Sequence, residues 1–541
     1  MLPSSKKKPI LLDCTLRDGG YYNNWDFDIN FINKYLLAMS NAKVHYIEIG
    51  FRRVNMSSYA GECAFSTDKF LNKLAIPKNL KLGVMINAKE YLVNTKQLLN
   101  QKFSSAKSSK ISFVRVAINF ENYRSSKEMI SILKKLGYKI GLNLMQSHGY
   151  SEDNYITAAK EISTWRTVDM LYFADSFGNM YPSDVSKIIT SLAKGWSGDI
   201  GFHSHNNKSL ALINCIESLS KGVIWCDGTI LGMGRGAGNV TTEGLIVEIN
   251  KLHKTEYKLS GLTEILQDFQ YLKDLFNWGS SLYYHLAAEK NIHPTYVQEL
   301  LDDDRFKNEL IPSYLNNIPK EFISSFNISA KEQLLNPYNK IFKASKRKGK
   351  KIAKDAVLLG SGPLLKTYIQ DIENFCISNK LLTYKLNLDP SYIKKNYVSG
   401  FILANYTRIL FQIGQISRLK KTIVLPKDII SKQFPEVKLH NSINFDLVLG
   451  PSFHTQFNGC MLQKDLTLAY ALAYLIANKV DRVFLAGFDG YDDLSRNEEI
   501  NSLLREIEAS GHKIELIAIT PTKYNLQSSS IYDPLLLNAR S

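Results

Sequence analysis

Residues 10–20 read Ile-Leu-Leu-Asp-Cys-Thr-Leu-Arg-Asp-Gly-Gly. A short apolar run, suited to a buried strand, stops abruptly in two acids and an arginine. In a closed barrel of parallel strands the C-terminal strand ends build the active site. Arg17 can fork onto a carboxylate or an enolate, and Asp18 can bind a hard cation through oxygen. The same residues can also be an ion pair that closes a barrel.

Working outward, comparable β-branched runs recur at 44–50, 82–86, 111–118, 140–145, 170–174, 200–203 and 224–231, about 25–35 residues apart. Segments of helical length, such as 126–136 and 209–220, lie between them. This alternation implies parallel pairing with crossover helices. Eight such units in roughly 240 residues fit a closed (β/α)8 TIM barrel over 8–254 better than an open sheet. Over 255–338 the strand pattern stops; helices are predicted at 262–278, 282–290 and 296–301, as a helical appendage. A basic, polar strip at 339–354 reads as a linker. Alternation then resumes, with strands predicted at 356–360, 400–403, 422–425, 445–449, 482–486 and 514–519, and helices reaching 378 and spanning 466–478 and 497–510. This predicts a second, open Rossmann-like α/β domain over 355–541.

The 541 residues hold 45% apolar and 22% charged side chains, a globular balance that excludes a wholly disordered or disulfide-stapled chain. Lys and Arg number 67 against 51 Asp and Glu, a net charge of +16. Such a surplus suits nucleic acid, anionic lipid or anionic metabolites. It is spread thinly, with dense runs only at Lys6–Lys8 and 343–354, which read as solvated tail and linker. The linker lacks interleaved aromatics, so no nucleic-acid partner is expected. None of the six cysteines forms a C-x-x-C pair, which fits reduced thiols. No apolar leader is evident, and the most apolar helix candidate, 466–477, is too short to span a bilayer. The expectation is a cytoplasmic protein without membrane insertion.

Two further stretches carry chemistry. Gly201-Phe202-His203-Ser204-His205-Asn206-Asn207 places two imidazoles at i and i+2, on one face of the seventh strand. At the barrel mouth both can reach one metal. The run from Asp227 to Glu243 contains Gly232, Gly234, Gly236 and Gly238, which permit close backbone approach to a ligand or tight closure of the barrel. Asn239 can add an amide oxygen to a metal shell or cap the helix that begins near Thr241. Asp18, His203 and His205 together offer one carboxylate and two imidazoles, a set that suits Mn2+, Fe2+, Zn2+ or, less naturally, Mg2+. A metal holding a 2-oxo acid would polarise its carbonyl, with Arg17 as a fixed charge beside the developing oxygen.

Asp-x-Thr-Leu-Arg-Asp-Gly, His-x-His-Asn and the closing Gly-x-Gly-x-Gly-Ala-Gly-Asn resemble the metal-dependent lyase barrels: 4-hydroxy-2-oxovalerate aldolase, hydroxymethylglutaryl-CoA lyase and isopropylmalate synthase. The resemblance covers about 8–250. It implies a divalent metal, Mn2+ or Mg2+ with Zn2+ or Fe2+ as alternatives, on Asp18, His203 and His205, with Asn239 as a further ligand. It implies Arg17 as the enolate-stabilising residue. Secondary matches are Glu48 on the second strand and Asp175-Ser176-x-Gly178 on the sixth; Asp175, Ser176, Gly236 and Gly238 are candidate substrate contacts.

The chain departs from each branch. The synthases follow Arg-Asp with Gly-Glu-Gln, whereas Gly19-Gly20-Tyr21-Tyr22 stands here. The lyases carry a cysteine in the glycine loop, and none lies between Gly232 and Asn239. The aldolases place a catalytic histidine where Tyr21 sits. Tyr21, Tyr22 and His148, after the fifth strand, are the acid/base candidates.

In the C-terminal half, Gly360-Ser361-Gly362-Pro363 opens a helix after a strand, where backbone amides can hold an anion. Asp489 sits in a matching turn after another strand. This half resembles Rossmann-like domains of bacterial surface-polysaccharide proteins, related to sialyltransferase-like nucleotide-sugar folds. The leading expectation is an aldolase or lyase that joins or splits a 2-oxo acid and an aldehyde or sugar-derived substrate, as a possible homodimer, in surface-glycan synthesis. The alternatives are a Claisen-type acyl-CoA transferase on the same barrel, or a degenerate barrel serving as scaffold for a C-terminal transferase.

Overall fold

The computed structural model describes residues 7–56, 59–301, 311–318, 320–324, 326, 349–433, 435, 437–492, 494–533 and 536–537. They fall into two compact units, the first from 1–306 and 320–326, the second from 307–319 and 327–541. Residues 302–310 and 327–338 of the expected appendage, and 339–348 of the expected linker, lie outside the described set.

In the first unit eight strands close a parallel barrel in chain order: β1 (Ile10–Asp13), β2 (Tyr46–Phe51), β3 (Lys81–Asn87), β4 (Ile111–Asn119), β5 (Lys139–Met145), β6 (Met170–Asp175), β7 (Asp199–Ser204) and β8 (Trp225–Gly228). β8 pairs with β1 from Ile10↔Trp225 to Asp13↔Gly228. The eighth strand is shorter than its apolar run, 224–231. After Gly228 the chain turns through a short 3-10 segment, Ile230–Gly232, in which Leu231 takes φ +48°.

Strand alternation sorts the side chains. Leu11, Val114, Leu171 and Phe202 pack outward in the core shared with the helices. Leu12, Phe113, Met170, Tyr172 and Trp225 form a separate buried cluster, the apolar plug of the barrel. One pleat further along, the inward positions turn polar: Glu48, Arg115, Asn143, His203 and Asp227 are all buried. Gly141 makes room for this layer, since a Cβ there would lie 2.9 Å from Arg115 Cγ.

Among the described residues of this unit, three α-helices follow the barrel's last helix (Thr242–His253): Thr263–Phe276, Leu282–Glu289 and Thr295–Leu301. All three match the predicted segments, 262–278, 282–290 and 296–301, closely. Ser281 caps the second by accepting from the Tyr284 backbone N–H.

The second unit holds a parallel eight-stranded sheet and a three-stranded one. In chain order its strands are β9 (Asp355–Leu359), β10 (Leu382–Leu386), β11 (Gly400–Ile402), β12 (Thr422–Leu425), β13 (Ser442–Asn444), β14 (Asp446–Leu449), β15 (His454–Gln456), β16 (Gly459–Leu462), β17 (Arg482–Ala486), β18 (Glu515–Ala518) and β19 (Gln527–Ser528). The large sheet runs β13-β12-β11-β10-β9-β17-β18-β19, so the strand order reverses between β9 and β17. The run at 445–449 belongs to the small sheet instead, where β14 pairs with β16. Among the described residues no helix is long and apolar enough to cross a membrane, and all six cysteines are buried and unpaired.

Candidate active site

The barrel mouth begins where β1 ends. Asp13 ties the strand to its surroundings by accepting from Thr15, Tyr35 and Thr242 hydroxyls. The chain then enters the helix Thr15–Asn23 at once, so Arg17 and Asp18 project from the first turn of a helix rather than from the strand itself. From β7, His203 and His205 reach the same place. Asp18 Oδ2 lies 3.6 Å from His203 Nε2 and 3.9 Å from His205 Nε2. The ligand atoms of the three lie within 4.8 Å of one another. With metal–ligand bonds of about 2.1 Å, neighbouring ligand atoms sit about 3–3.5 Å apart, so the spacing accommodates a cation.

Each imidazole is held by its other nitrogen. His203 Nδ1 donates to Asp227 Oδ2 (2.9 Å), and His205 Nδ1 donates to the Asp175 carbonyl (2.9 Å). Both Nε2 atoms are thereby left as acceptors facing Asp18, the arrangement of metal-binding histidines. Asn239 donates through Nδ2 to Asp18, while its Oδ1 is buried without a partner. Thr241 caps the following helix, accepting from the Gly244 backbone N–H, which leaves Asn239 to the site.

A ring of charged side chains surrounds this cluster. Arg17 Nη1 donates to Asp18 Oδ1 (2.7 Å) and its Nε to Glu48 Oε2 (2.7 Å). Arg115 binds both Glu48 oxygens (2.7 and 2.8 Å) and Asp227 Oδ2 (2.5 Å). Asp227 returns to His203, closing the circuit. Burial opposes ionisation of Asp18, but the surrounding contacts, Arg17 first among them, together hold the carboxyl well below the usual range. Burial likewise opposes Asp227, which Arg115 holds down. Burial, above all, pushes His205 down to about 3. A buried charge that loses its partner is destabilising. Arg115→Met is therefore expected to cost about 3–5 kcal/mol of stability, read as a lower urea midpoint.

Arg115 and Asp227 were not among the residues singled out from sequence. The signal was present as single charged residues in apolar strands, Val-Arg-Val in β4 and Trp-Cys-Asp-Gly in β8. Arg17 Nη2 and Asn143 Oδ1 join Asn239 Oδ1 as buried polar atoms without partners.

Other candidates lie as follows. Glu48 is fully buried between the two arginines. Tyr21 packs edge-on against Trp25 (4.8 Å between ring centres), with Arg235 over its face at 5.6 Å. The Tyr22 hydroxyl donates to the Gly236 carbonyl (2.6 Å). His148 is turned aside: Nδ1 is 3.0 Å from Asn179 Oδ1 and Nε2 is 3.6 Å from Asp184. The Asp175 carboxylate accepts from the Asn179 and Met180 backbone N–H groups (3.0 and 3.2 Å), and burial raises it to about 7. Ser176 Oγ accepts from the Gln146 N–H (2.8 Å). Gly236 and Gly238 have φ of +67° and +79°, and a Cβ on Gly238 would lie 2.0 Å from the Gly232 carbonyl oxygen. Gly238→Ala is expected to destabilise by at least about 1–3 kcal/mol, the range for a strained backbone position, measurable as a lower thermal midpoint.

In the second unit, Gly360–Gly362 and Asp489 do converge where the strand order reverses. The Gly362 backbone N–H donates to the Gly487 carbonyl (2.8 Å), and Asp489 Oδ2 accepts from the Leu364 N–H (2.7 Å). Two backbone amides at this turn, those of Gly362 and Leu364, thus have protein partners. Lys385, buried at the end of β10, donates to the Gly360 carbonyl (2.6 Å) and Ser361 Oγ (3.0 Å).

Comparison with known proteins places the barrel. A family model described as HMGL-like matches residues 8–269. An oxaloacetate decarboxylase of Mycobacterium tuberculosis is 24% identical over 253 residues, 46% of this chain and 73% of that protein. A 4-hydroxy-2-oxovalerate aldolase of Marinomonas sp. is 31% identical over 252 residues, 46% of this chain and 72% of the aldolase. The crystal structure of the N-terminal domain of a putative aldolase from Bacteroides vulgatus is 31% identical with a TM-score of 0.50, over 55% of this chain and 97% of that domain.

Proposed function

The chain belongs to the HMGL-like family, and from that premise we propose that its barrel is an aldolase or lyase for a 2-oxo acid, with a divalent cation on Asp18, His203 and His205. The observation that carries the reading is the meeting of those three buried ligands beside an arginine with one unpartnered nitrogen. One carboxylate, two imidazoles and the free Asn239 oxygen suit Mn2+ first among the candidates, with Mg2+, Zn2+ and Fe2+ behind it. A cation there polarises the keto carbonyl of a 2-oxo acid and favours negative charge on its oxygen.

The chain's own residues supply the rest. Arg17 is held on two sides by Asp18 and Glu48, which leaves Nη2 to meet an enolate oxygen as charge develops. Glu48 is a positioning residue in this scheme, since it touches Arg17 rather than substrate. Asp227 fixes the tautomer of His203. For the proton of the carbon–oxygen group at the breaking bond, Tyr21 is favoured over His148, whose ring nitrogens face Asn179 and Asp184. Asp175 enters through its carbonyl on His205, and Gly236 and Gly238 through the loop they shape.

The test is exchange of the methyl protons of pyruvate with D2O. EDTA should abolish it, and added Mn2+ or Mg2+ should restore it. Exchange that survives chelation would remove the reading. Release of free CoA from an acyl-CoA with a 2-oxo acid acceptor would favour the Claisen alternative. An aldehyde or sugar-derived second substrate, a surface-glycan role, a homodimer, a cytoplasmic location and a nucleotide or anion at Gly360–Gly362 and Asp489 complete the proposal.

A further inference from the structure

Arg235 has no role in the proposal above, yet its surroundings are specific. Gly234, just before it, packs on the ligand cluster: a Cβ there would lie 2.3 Å from Asn239 Nδ2 and 3.0 Å from Asp18 Oδ2. Gly236, just after it, packs on the helical appendage: a Cβ there would lie 2.7 Å from Pro294 Cβ. Arg235 therefore stands between the candidate metal ligands and the appendage. Its Nε is buried without a partner, and among the described residues no carboxylate pairs with it. The contact that holds it is the Tyr21 ring face, 5.6 Å away.

His293 comes from the appendage to the same place. Asn291, two residues before it, accepts from Asn179 Nδ2 on the loop after β6 (2.6 Å). Pro294, one residue after it, rests on Gly236 in the loop after β8. His293 is thus slung between those loops. The Thr295 backbone N–H points at His293 Nδ1 (3.4 Å), which leaves Nε2 as the nitrogen carrying the proton. Burial, then Arg235 and His205, hold the ring uncharged well below its usual range. A guanidinium without a counter-ion, next to a neutral N–H donor, is a receptor for an anionic oxygen group.

We propose that Arg235, assisted by His293, binds a second anionic group of the substrate, a carboxylate or phosphate on the fragment that leaves or arrives as the aldehyde. The inference rests on the 2-oxo acid reading and narrows its second substrate to an acidic aldehyde. In the cleavage direction the carbinol hydroxyl proton passes to water by way of the Tyr21 hydroxyl favoured above, its O–H electrons form the aldehyde carbonyl, and the broken carbon–carbon pair becomes the enolate. Arg235 holds the departing aldehyde by its anionic group during these changes and exchanges no electrons.

The experiment is condensation of pyruvate with neutral glycolaldehyde, with glyoxylate and succinic semialdehyde as carboxylates, and with glyceraldehyde 3-phosphate. The wild type should favour one anionic class over glycolaldehyde at least tenfold in kcat/KM, and the carboxylate and phosphate arms identify which. Arg235→Met should lower that preference about 10- to 100-fold, as loss of a hydrogen bond to a charged group does. Arg235→Lys should keep part of it, and Mn2+ affinity of both variants should stay near wild type. No anionic preference, or a preference that Arg235→Met retains, overturns the inference. Pyruvate exchange without condensation with any of the four aldehydes also overturns it, while the enolate reading stands. Absence of metal-dependent exchange in the wild type removes the enolate reading first.

Discussion

His203→Ala is expected to abolish both cation binding and carbon–carbon chemistry. The residue joins the site at both nitrogens, with Nε2 toward Asp18 at 3.6 Å and Nδ1 on Asp227 at 2.9 Å. Losing a supporting partner of a metal-bound histidine costs about 10–100-fold in metal affinity or activity. Losing the ligand itself should exceed that range. Asp227→Asn gives the comparison, because an amide oxygen still accepts from Nδ1 while the charge is gone; its deficit should fall inside that range. Mn2+ titration by calorimetry reads the affinity directly, and pyruvate exchange reads the chemistry. Unchanged Mn2+ affinity in His203→Ala would place the cation elsewhere. The expectation also separates two interpretations of the ring. If Asp18, Arg17, Glu48, Arg115, Asp227 and His203 were only a structural ion network, His203→Ala would lower stability and leave no metal phenotype.

Why the ring was only half legible follows from how barrels are written. His203 and His205 announce themselves as polar residues at the end of β7, and Asp18 in the helical turn just after β1, where the apolar pattern breaks. Glu48 entered through the family resemblance, but nothing local marked Arg115 or Asp227: both lie inside strands, Arg115 between Val114 and Val116 of the outward core and Asp227 between Cys226 and Gly228. A period of two hides such residues: one charged side chain per strand reads as noise, and its partner sits on another strand. Arg115 meets Glu48 67 residues away and Asp227 112 residues away, a relation no local spacing encodes. His148 is a different case. A histidine after a strand reads as catalytic, but the loop turns it to Asn179 and Asp184. His293 carried no motif at all, and only the seating of the appendage on the loops after β6 and β8 brings it to the mouth. In the second unit the alternation exposed most central strands. β10 was missed because Thr383 and Lys385 interrupt its apolar residues, although both are buried.

Arg17→Met is expected to lower kcat for cleavage about 10²–10³-fold, the usual cost of removing a donor aimed at developing negative charge. The argument rests on which nitrogens are already engaged. Nη1 is committed to Asp18 and Nε to Glu48, so the guanidinium cannot swing, and Nη2 remains for the reacting oxygen. Methionine fills most of the volume but removes every donor. It also leaves Glu48 with Arg115 alone and Asp18 without its guanidinium partner, so some stability should be lost as well. The two effects are separable. Arg17→Lys keeps a charge but lacks the fork: its single ammonium has to choose among Asp18, Glu48 and the substrate. A purely structural arginine would be largely rescued by lysine, in melting temperature and in rate alike. A catalytic one would recover stability while kcat stays at least tenfold down and Mn2+ affinity stays near wild type. Rate recovery in step with stability would reduce Arg17 to the ion pair that closes the barrel.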